Sequence, residues 1–186
     1  MFIIKKKYFF YIDNIKNFDL NLIKKPSKAY IIYRNKSYIK LKNIKKIIKF
    51  RKLCKSKNIK FFIANDIKLY KDTKADGLYL SAYNKNIYKN LPLIGSAHNY
   101  REIDQKIKQG CNTIIFSRLF KTNYKMKKNF YGLVRFNLIN QKNNFKLSPL
   151  GGINHSNLLK LNLVNCDGLA FLSAAKKKPA ISNRLF

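Results

Sequence analysis

Short apolar runs recur along the chain, and each is followed by polar residues or glycine. Residues 60–81 show the pattern best, because the run at 61–64 has no polar alternation, as expected of a strand buried on both faces of a parallel sheet. Asp76 and Gly77 then turn the chain into a second apolar run, which makes this segment a βαβ unit. We predict eight strands, at 7–12, 29–33, 61–64, 78–80, 92–96, 113–117, 145–150 and 168–172.

Helical periodicity appears between several of these strands. Asn99 and Glu102 have the spacing of a capping box, which predicts the start of a helix after the fifth strand. That helix is predicted to turn Ile103 and Ile107 inward and to end at Gly110. A longer helix of about 18 residues is predicted after the second strand, with lysines opposite an apolar face formed by Leu41, Ile44, Ile47, Ile48 and Cys54.

The junctions before two strands echo one another, with ADGL at 75–78 and CDGL at 166–169. Such an echo is typical of repeated βα units. Eight strands alternating with helices predict an α/β fold, a compact (β/α)8 TIM barrel, as a single domain over residues 1–186. The alternative, an open doubly wound sheet, would need an early glycine-rich turn to bind a dinucleotide, and the sequence has none.

The charge balance is strongly basic, with 40 Lys and Arg against 8 Asp and Glu and a formal net charge of +32. The excess is nearly all Lys, evenly spread, and it comes with abundant Ile, Asn, Tyr and Phe and no Trp. This bias is typical of an AT-rich coding sequence, whereas specific DNA readers use Arg for bidentate base contacts. We therefore interpret the charge as background that favours phosphorylated ligands, and we do not expect nucleic acid as a partner.

The sequence predicts no transmembrane helix, no signal peptide and no metal-binding cysteine motif. No apolar run approaches the roughly 18 residues of a transmembrane helix. The run at 8–12 is too short for a signal peptide and is followed by Asp13, so we expect a cytoplasmic protein that does not contact membranes. Cys54, Cys111 and Cys166 form no CxxC pair and have no His at ligand spacing, which predicts buried free thiols.

Polar residues and glycines follow the predicted strands at their carboxyl ends, where barrels of this kind bind ligands. Cations, hydroxyls and backbone N–H groups on one rim suit a phosphate or diphosphate ester, and Asp66 could hold a hard metal ion. Asp66 with Asn65 is also interpretable as a helix N-cap. The rim residues are Arg34, Lys36, Asn65, Asp66, Ser96, His98, Thr122, Lys125, Gly151, Gly152 and Ser173.

Seven short motifs, in this order and at these strand ends, resemble the family of thiamine-phosphate synthase and its relative thiazole tautomerase. The resemblance runs over residues 29–175 and implies the same barrel. The motifs are YRNK at 33–36, IAND at 63–66, ADGLYL at 75–80, IGSAH at 94–98, FKTNYK at 120–125, GGI at 151–153 and LSA at 172–174.

The resemblance implies a transferase of thiamine biosynthesis. An aminopyrimidine methyl diphosphate would lose diphosphate, and the nitrogen of a thiazole phosphate would capture the resulting cation. On this model Mg²⁺ is the cofactor, bound at Asp66, and Ser96 contacts the pyrimidine, with His98 also in the substrate-binding set. The diphosphate would be held by Arg34, Lys36, Asn65 and Lys125, of which the three cations are the catalytic residues. The thiazole phosphate would be seated by Thr122, Gly151, Gly152, Leu172 and Ser173.

Two departures from the family pattern keep other functions open, and one is a threonine loop at 120–125 with Tyr124 in place of the family's second threonine. The family carries a second metal-binding acid after the fourth strand, and the segment YLSAYN at 79–84 has none, so Asp66 would have to share Mg²⁺ with the substrate diphosphate. A tautomerase-like isomerase would use His98 as general acid and base, although His98 is equally interpretable as a turn residue. A non-catalytic barrel that binds RNA or a phosphorylated metabolite is the other alternative. The sequence is compatible with a homo-oligomer.

Overall fold

A computed structural model describes residues 6–34, 41–122, 129–142, 145 and 147–172. Eight parallel strands follow one another in chain order and close into a barrel, because the first strand pairs with both the second and the eighth. The strands are β1 (Lys7–Ile12), β2 (Ala29–Tyr33), β3 (Lys60–Ala64), β4 (Gly77–Leu80), β5 (Leu93–Ala97), β6 (Thr113–Ser117), β7 (Leu147–Leu150) and β8 (Gly168–Phe171). The α-helices are α1 (Leu41–Ser56), α2 (Ile67–Thr73), α3 (Tyr100–Lys108) and α4 (Gly132–Lys142). The predicted (β/α)8 barrel is confirmed.

Several connections between the strands contain less helix than a regular β/α repeat has. The β1–β2 and β7–β8 connections contain 3₁₀ turns, and residues 81–92 between β4 and β5 contain neither a helix nor a strand. These short connections explain how 186 residues accommodate a fold that usually takes about 250. Among the described residues, no helix has the length and apolar character that a membrane crossing requires.

Alternation along the strands divides the apolar side chains into two sets. The outward set packs between the strands and the helices, where Ile47, Cys54 and Ile103 are fully buried. All three cysteines are buried and free, and burial raises the pKa of Cys54 to about 12 and that of Cys111 to about 11. The inward set fills the barrel interior and consists of Phe9, Tyr11, Ile32, Phe62, Tyr79, Ile94, Ile115 and Ala170.

The Asp76-Gly77 junction leads from α2 into β4, and its conformation is set by a hydrogen bond to β3 and by steric limits. The Asp76 carboxylate accepts the N–H of Phe61 at 2.9 Å and lies 3.7 Å from the guanidinium of Arg51 on α1. Gly77 has no space for a side chain, because a Cβ there would collide with the ring of Phe62 and the carbonyl oxygen of Pro92. This junction therefore fixes the amino-terminal end of the barrel, away from the candidate site.

Helix α3 begins as predicted but turns a different face inward. Asn99 caps it by accepting the N–H of Glu102, and Ile103 is fully buried. The inward prediction for Ile107 is wrong, because that side chain is 42% exposed while Lys106 is 0% exposed. Residues 103 and 106 are three positions apart and share the inner face, which leaves Ile107 on the flank.

Candidate functional site

The candidate site lies at the carboxyl ends of the strands, where the inward-facing positions reach the barrel mouth. Two residues along a strand separate side chains on the same face. The inward series of β2 therefore continues from Ile32 to Arg34, and that of β5 from Ile94 to Ser96. Ser96 is buried at 7% exposure, and Arg34 is half-buried just beyond its strand.

Arg34 is held in place by two neighbours on β1 and at its end. Its Nη2 atom donates to the Asp13 carboxylate at 3.2 Å, and its Cζ lies 5.0 Å from the ring centroid of Tyr11. The Nε atom is buried and has no hydrogen-bond partner among the described residues. A guanidinium fixed in this way beside the mouth suits an anionic ligand.

Asn65 adopts a left-handed backbone conformation, with φ of 57°. Its Oδ1 atom accepts the N–H of Ser81 at 2.9 Å and the Nδ2 group of Asn84 at 3.1 Å. Within the described part of the chain, no residue accepts a hydrogen bond from Asn65 Nδ2. The amide of Asn65 therefore keeps its donor side for a ligand.

Asp66 is the N-cap of α2, and its Oδ1 atom accepts the N–H of Leu69 at 2.8 Å. The cap interpretation is thus confirmed, and it leaves Oδ2 for other ligands. No cluster of three or more His, Cys, Asp or Glu side chains occurs among residues 6–34, 41–122, 129–142 and 147–172. One carboxylate oxygen fits Mg²⁺ only if the bound substrate supplies further oxygens.

Tyr79 and Tyr11 form the aromatic floor of the mouth. Their rings meet edge to face with centroids 5.4 Å apart, and the hydroxyl of Ser96 lies close to the phenol of Tyr79. Burial raises the pKa of Tyr79, which Ser96 lowers in part, and burial together with the neighbouring Tyr79 raises that of Tyr11 well above its ordinary value. Both phenols therefore stay neutral, so the floor offers flat rings and hydroxyls without negative charge.

His98 lies at the end of β5, exposed, and is tied to two other elements. Its Nδ1 atom is 2.7 Å from the hydroxyl of Ser117 at the end of β6. Its backbone carbonyl accepts the hydroxyl of Tyr131 at 2.6 Å, and its N–H donates to Glu102 at 2.7 Å. These backbone contacts agree with a role for His98 in shaping the turn that starts α3.

The Gly151-Gly152 turn after β7 packs against the connection that leaves β6. Gly152 has φ of 69°, and a Cβ there would lie 2.5 Å from the carbonyl oxygen of Lys121 and 2.6 Å from that of Phe120. Among the described residues, none accepts a hydrogen bond from the N–H of Gly151 or Gly152. Thr122 is part of this connection, and Leu172 after β8 packs against the barrel interior.

The predicted site residues thus fall into two groups around the mouth. Arg34, Asn65 and Asp66 follow β2 and β3, whereas the glycine turn follows β7, which is diametrically opposite β3 in an eight-stranded ring. Ser96 and the two tyrosines lie in the interior between them. Lys36, Lys125 and Ser173 lie outside the described residues.

Sequence reasoning missed several members of this site. Asp13, Tyr11, Tyr79 and Ser117 all contact a predicted site residue, yet none was singled out. These residues could have been found from the alternation of side chains along each strand. That alternation places them among the last inward-facing positions of a strand, or at the next inward-facing position after its end.

Comparisons with known proteins agree with this geometry. Residues 13–175 match the family model described as "Thiamine monophosphate synthase". A thiamine-phosphate synthase from Methanococcus maripaludis is 26% identical over 181 residues, which cover 91% of this chain and 87% of that protein. The structure of thiamine phosphate pyrophosphorylase from Pyrococcus furiosus superposes with a TM-score of 0.77 at 18% identity, covering 97% of this chain and 92% of the other.

A second relative differs in length. A thiamine-phosphate synthase from Prochlorococcus marinus is 32% identical over 129 residues, which cover 66% of this chain but only 37% of the relative. This chain covers 39% of another thiamine-phosphate synthase from the same species. The chain therefore spans about two fifths of these longer proteins. Because the family model covers most of the described barrel, the chain belongs to the thiamine monophosphate synthase family.

Proposed function

We propose that this chain is a transferase of thiamine biosynthesis, which couples an aminopyrimidine methyl diphosphate to a thiazole phosphate and releases diphosphate. The observation that carries the proposal is the pair of candidate anion sites on opposite sides of one mouth, in a chain of this family. Arg34 and Asn65 form one, and the Gly151-Gly152 turn forms the other. Two phosphorylated substrates require two such sites, separated by their heterocycles.

The proposed reaction needs no protein nucleophile. The bond between the methylene carbon and the diphosphate oxygen breaks, and its electron pair leaves with the diphosphate. The lone pair of the thiazole nitrogen then forms the new bond to that carbon. Arg34, with Lys36 and Lys125, would stabilise the negative charge that develops on the diphosphate, because fixed cations lower the energy of such a transition state. The two lysines are assigned this role from the sequence motifs alone.

The remaining site residues would orient the two rings. Ser96 lies on the aromatic floor and would contact the pyrimidine, with His98 at the edge of the same strand. The glycine turn would offer neutral N–H donors to the thiazole phosphate, together with Thr122 and Leu172. Ser173 is added to this set on the sequence motif alone. The neutral phenols below would avoid repelling the phosphates.

Asp66, through the carboxylate oxygen that does not cap α2, would hold Mg²⁺ together with the substrate diphosphate. Bound there, the ion would supply positive charge to the leaving group. The capping bond to Leu69 holds the Asp66 carboxylate at the end of β3, beside Asn65. The residues present thus fit an ion that arrives with its substrate.

The tautomerase-like alternative is not favoured, because the relatives from Methanococcus maripaludis and Prochlorococcus marinus are synthases. The proposed partners are small phosphorylated molecules. Cytoplasmic location and self-association stay predictions from the sequence.

The direct test is incubation of the purified protein with both phosphorylated halves of thiamine and Mg²⁺. We expect thiamine phosphate and diphosphate in equal amounts, measured by chromatography. A folded protein that forms no thiamine phosphate would overturn the proposal.

Two variants then separate coupling from tautomerisation. Lys125→Ala should slow coupling by about 10² to 10³, because a cation at the leaving group is lost. His98→Ala should reduce it only modestly, and Lys108→Ala on the outer face of α3 serves as the control. The opposite order, with tautomerisation by the wild type, would favour the isomerase.

A further inference from the structure

A buried ammonium group lies behind the β4–β5 connection. Lys106 on α3 is 0% exposed, and its Nζ atom donates to the backbone carbonyl of Asn84 at 2.7 Å and to Oε1 of Gln109 at 2.8 Å. Both acceptors are neutral. Burial lowers the pKa of Lys106, whereas the nearby Cys111 and Glu102 favour its charged form. A lysine is almost never fully buried unless its ammonium group is paired or hydrogen-bonded.

The strand beneath Lys106 leaves space for its side chain. A Cβ at Gly95 on β5 would lie 2.8 Å from Cγ and 2.9 Å from Cδ of Lys106. The glycine therefore allows the lysine stem to cross the strand and reach the connection at 81–92. The stem packs as an apolar chain while its end makes the polar contacts.

The connection that Lys106 reaches depends on contacts from outside its own sequence. It contains no helix or strand, so its carbonyl groups have no regular partners. Gln109 donates to the carbonyl of Asn84 at 3.1 Å and to that of Asn86 at 2.7 Å, alongside the Lys106 bond. The inner face of α3 thus binds the connection through three hydrogen bonds.

Asn84 joins this buried group to the candidate site. Its carbonyl accepts Lys106 on the inner side, while its Nδ2 group donates to Oδ1 of Asn65 at 3.1 Å. The same oxygen accepts the N–H of Ser81, from the start of the connection, at 2.9 Å. Both bonds to Asn65 Oδ1 therefore come from the segment that Lys106 holds.

We infer that Lys106 is a positioning residue, whose buried ammonium holds the β4–β5 connection and through Asn84 turns the donor side of Asn65 toward the diphosphate. The inference rests on the proposed function for the identity of the ligand. A bond from a charged donor is stronger than a neutral one, and removing it would leave the Asn84 carbonyl with the neutral Gln109 donor alone. The Asn65 amide would then lose its fixed orientation but keep its hydrogen-bond donor and acceptor groups.

The first measurement is the affinity for inorganic pyrophosphate by calorimetry. Lys106→Met keeps an unbranched stem without the charge, and it should weaken binding by about tenfold, the size of one well-placed hydrogen bond. Lys108→Met, on the same helix but exposed, should bind as the wild type does. Equal affinity of Lys106→Met and the wild type would overturn the inference, as would a wild type that binds no pyrophosphate.

A double-mutant cycle tests whether Lys106 acts through Asn65. In an Asn65→Ala background, Lys106→Met should cost little further affinity, because the oriented amide is already absent. A purely structural role would instead lower affinity by the same factor in both backgrounds, and that result would overturn the inference. In the wild-type background, steady-state kinetics should show that Lys106→Met raises KM for the diphosphate substrate more than it lowers kcat.

A surface variant covers the case in which Lys106→Met does not fold. Asn84→Ala leaves the backbone carbonyl that binds Lys106 and removes the bond to Asn65, together with the bond from the Asn86 N–H to Asn84 Oδ1. It should lose pyrophosphate affinity by a similar factor, and unchanged affinity would overturn the inference. Because pyrophosphate binding is measured without turnover, a protein that binds but does not couple would refute the proposed function alone.

Discussion

The guanidinium of Arg34 lies over the face of Tyr11, with Cζ 5.0 Å from the ring centroid. The same guanidinium donates to Asp13, which follows β1. Aromatic support from the barrel interior and a carboxylate at the rim thus fix one cation in a half-buried position. Because this cation is already fixed, it loses little conformational freedom when an anionic ligand binds. A preorganised anion site requires this property.

Replacement of the Tyr11 ring should weaken this site. A cation–π contact is worth about 0.5 to 2 kcal/mol, so Tyr11→Leu should lower kcat/KM for coupling by roughly twofold to thirtyfold. Tyr11→Phe keeps the ring and should stay close to the wild type, because the hydroxyl has no hydrogen-bond partner of good geometry among the described residues. Steady-state kinetics of both variants decide the point. Equal losses in the two would show that the hydroxyl matters and the ring contact does not.

The Asp76 carboxylate should contribute to stability and not to catalysis. It accepts the N–H of Phe61 and faces Arg51 at the amino-terminal end of the barrel. Asp76→Ala leaves that N–H without its acceptor, which should cost about 1 to 3 kcal/mol in the free energy of unfolding. Urea denaturation measures the change, with the exposed Asp72→Ala on α2 as the control. A stable Asp76→Ala protein with impaired coupling would contradict the assignment.

The strands and the rim could be predicted because both depend on local sequence. Apolar runs bounded by polar turns specify buried parallel strands, and their order specifies the barrel. The positions of Arg34, Asn65 and Ser96 at strand ends then follow from topology alone. The ADGL echo was also visible, although its reason, the contact of Asp76 with Phe61, appears only in three dimensions.

The contacts of Lys106 and Arg34 could not be predicted in this way. Lys106 follows Ile103 by three positions, and a pattern that counts lysine as polar assigns the inner face to Ile107 instead. Its burial depends on a glycine in β5 and on the backbone carbonyl of Asn84, which is 22 residues away. The Asp13–Arg34 pair likewise joins positions 21 residues apart across two strands.

The glycine turn after β7 should tolerate no side chain at its second position. Gly152→Ala combines a left-handed φ with a Cβ 2.5 Å from the Lys121 carbonyl oxygen, so the turn must shift. We expect KM for the thiazole phosphate to rise by about tenfold or more, as one phosphate hydrogen bond is lost. Gly110→Ala is the matched control, because its φ of 77° carries the same strain while nothing lies within 4 Å of the new Cβ. Similar kinetics in the two variants would place the thiazole phosphate elsewhere.

The positive charge should produce only weak, salt-sensitive binding to nucleic acid. A net charge of +32 attracts any polyanion, but dispersed lysines act through counterion release. Binding to a duplex of arbitrary sequence should therefore collapse between roughly 50 and 200 mM salt, as followed by fluorescence anisotropy. A second duplex of different composition should bind equally well. Retained submicromolar affinity at the upper salt concentration would restore the nucleic-acid-binding alternative.

Mg²⁺ should bind only together with diphosphate, because Asp66 offers one free carboxylate oxygen. Calorimetry should show little Mg²⁺ binding to the protein alone, and tighter pyrophosphate binding with Mg²⁺ than with EDTA. Asp66→Asn separates the two roles of this residue, since asparagine caps a helix as well as aspartate does but lacks the charge. That variant should keep the stability of the wild type and lose the Mg²⁺ effect on pyrophosphate affinity. Asp66→Ala should lose the Mg²⁺ effect and also about 1 kcal/mol of stability. Tight Mg²⁺ binding to the free wild type would instead require further ligands at the mouth.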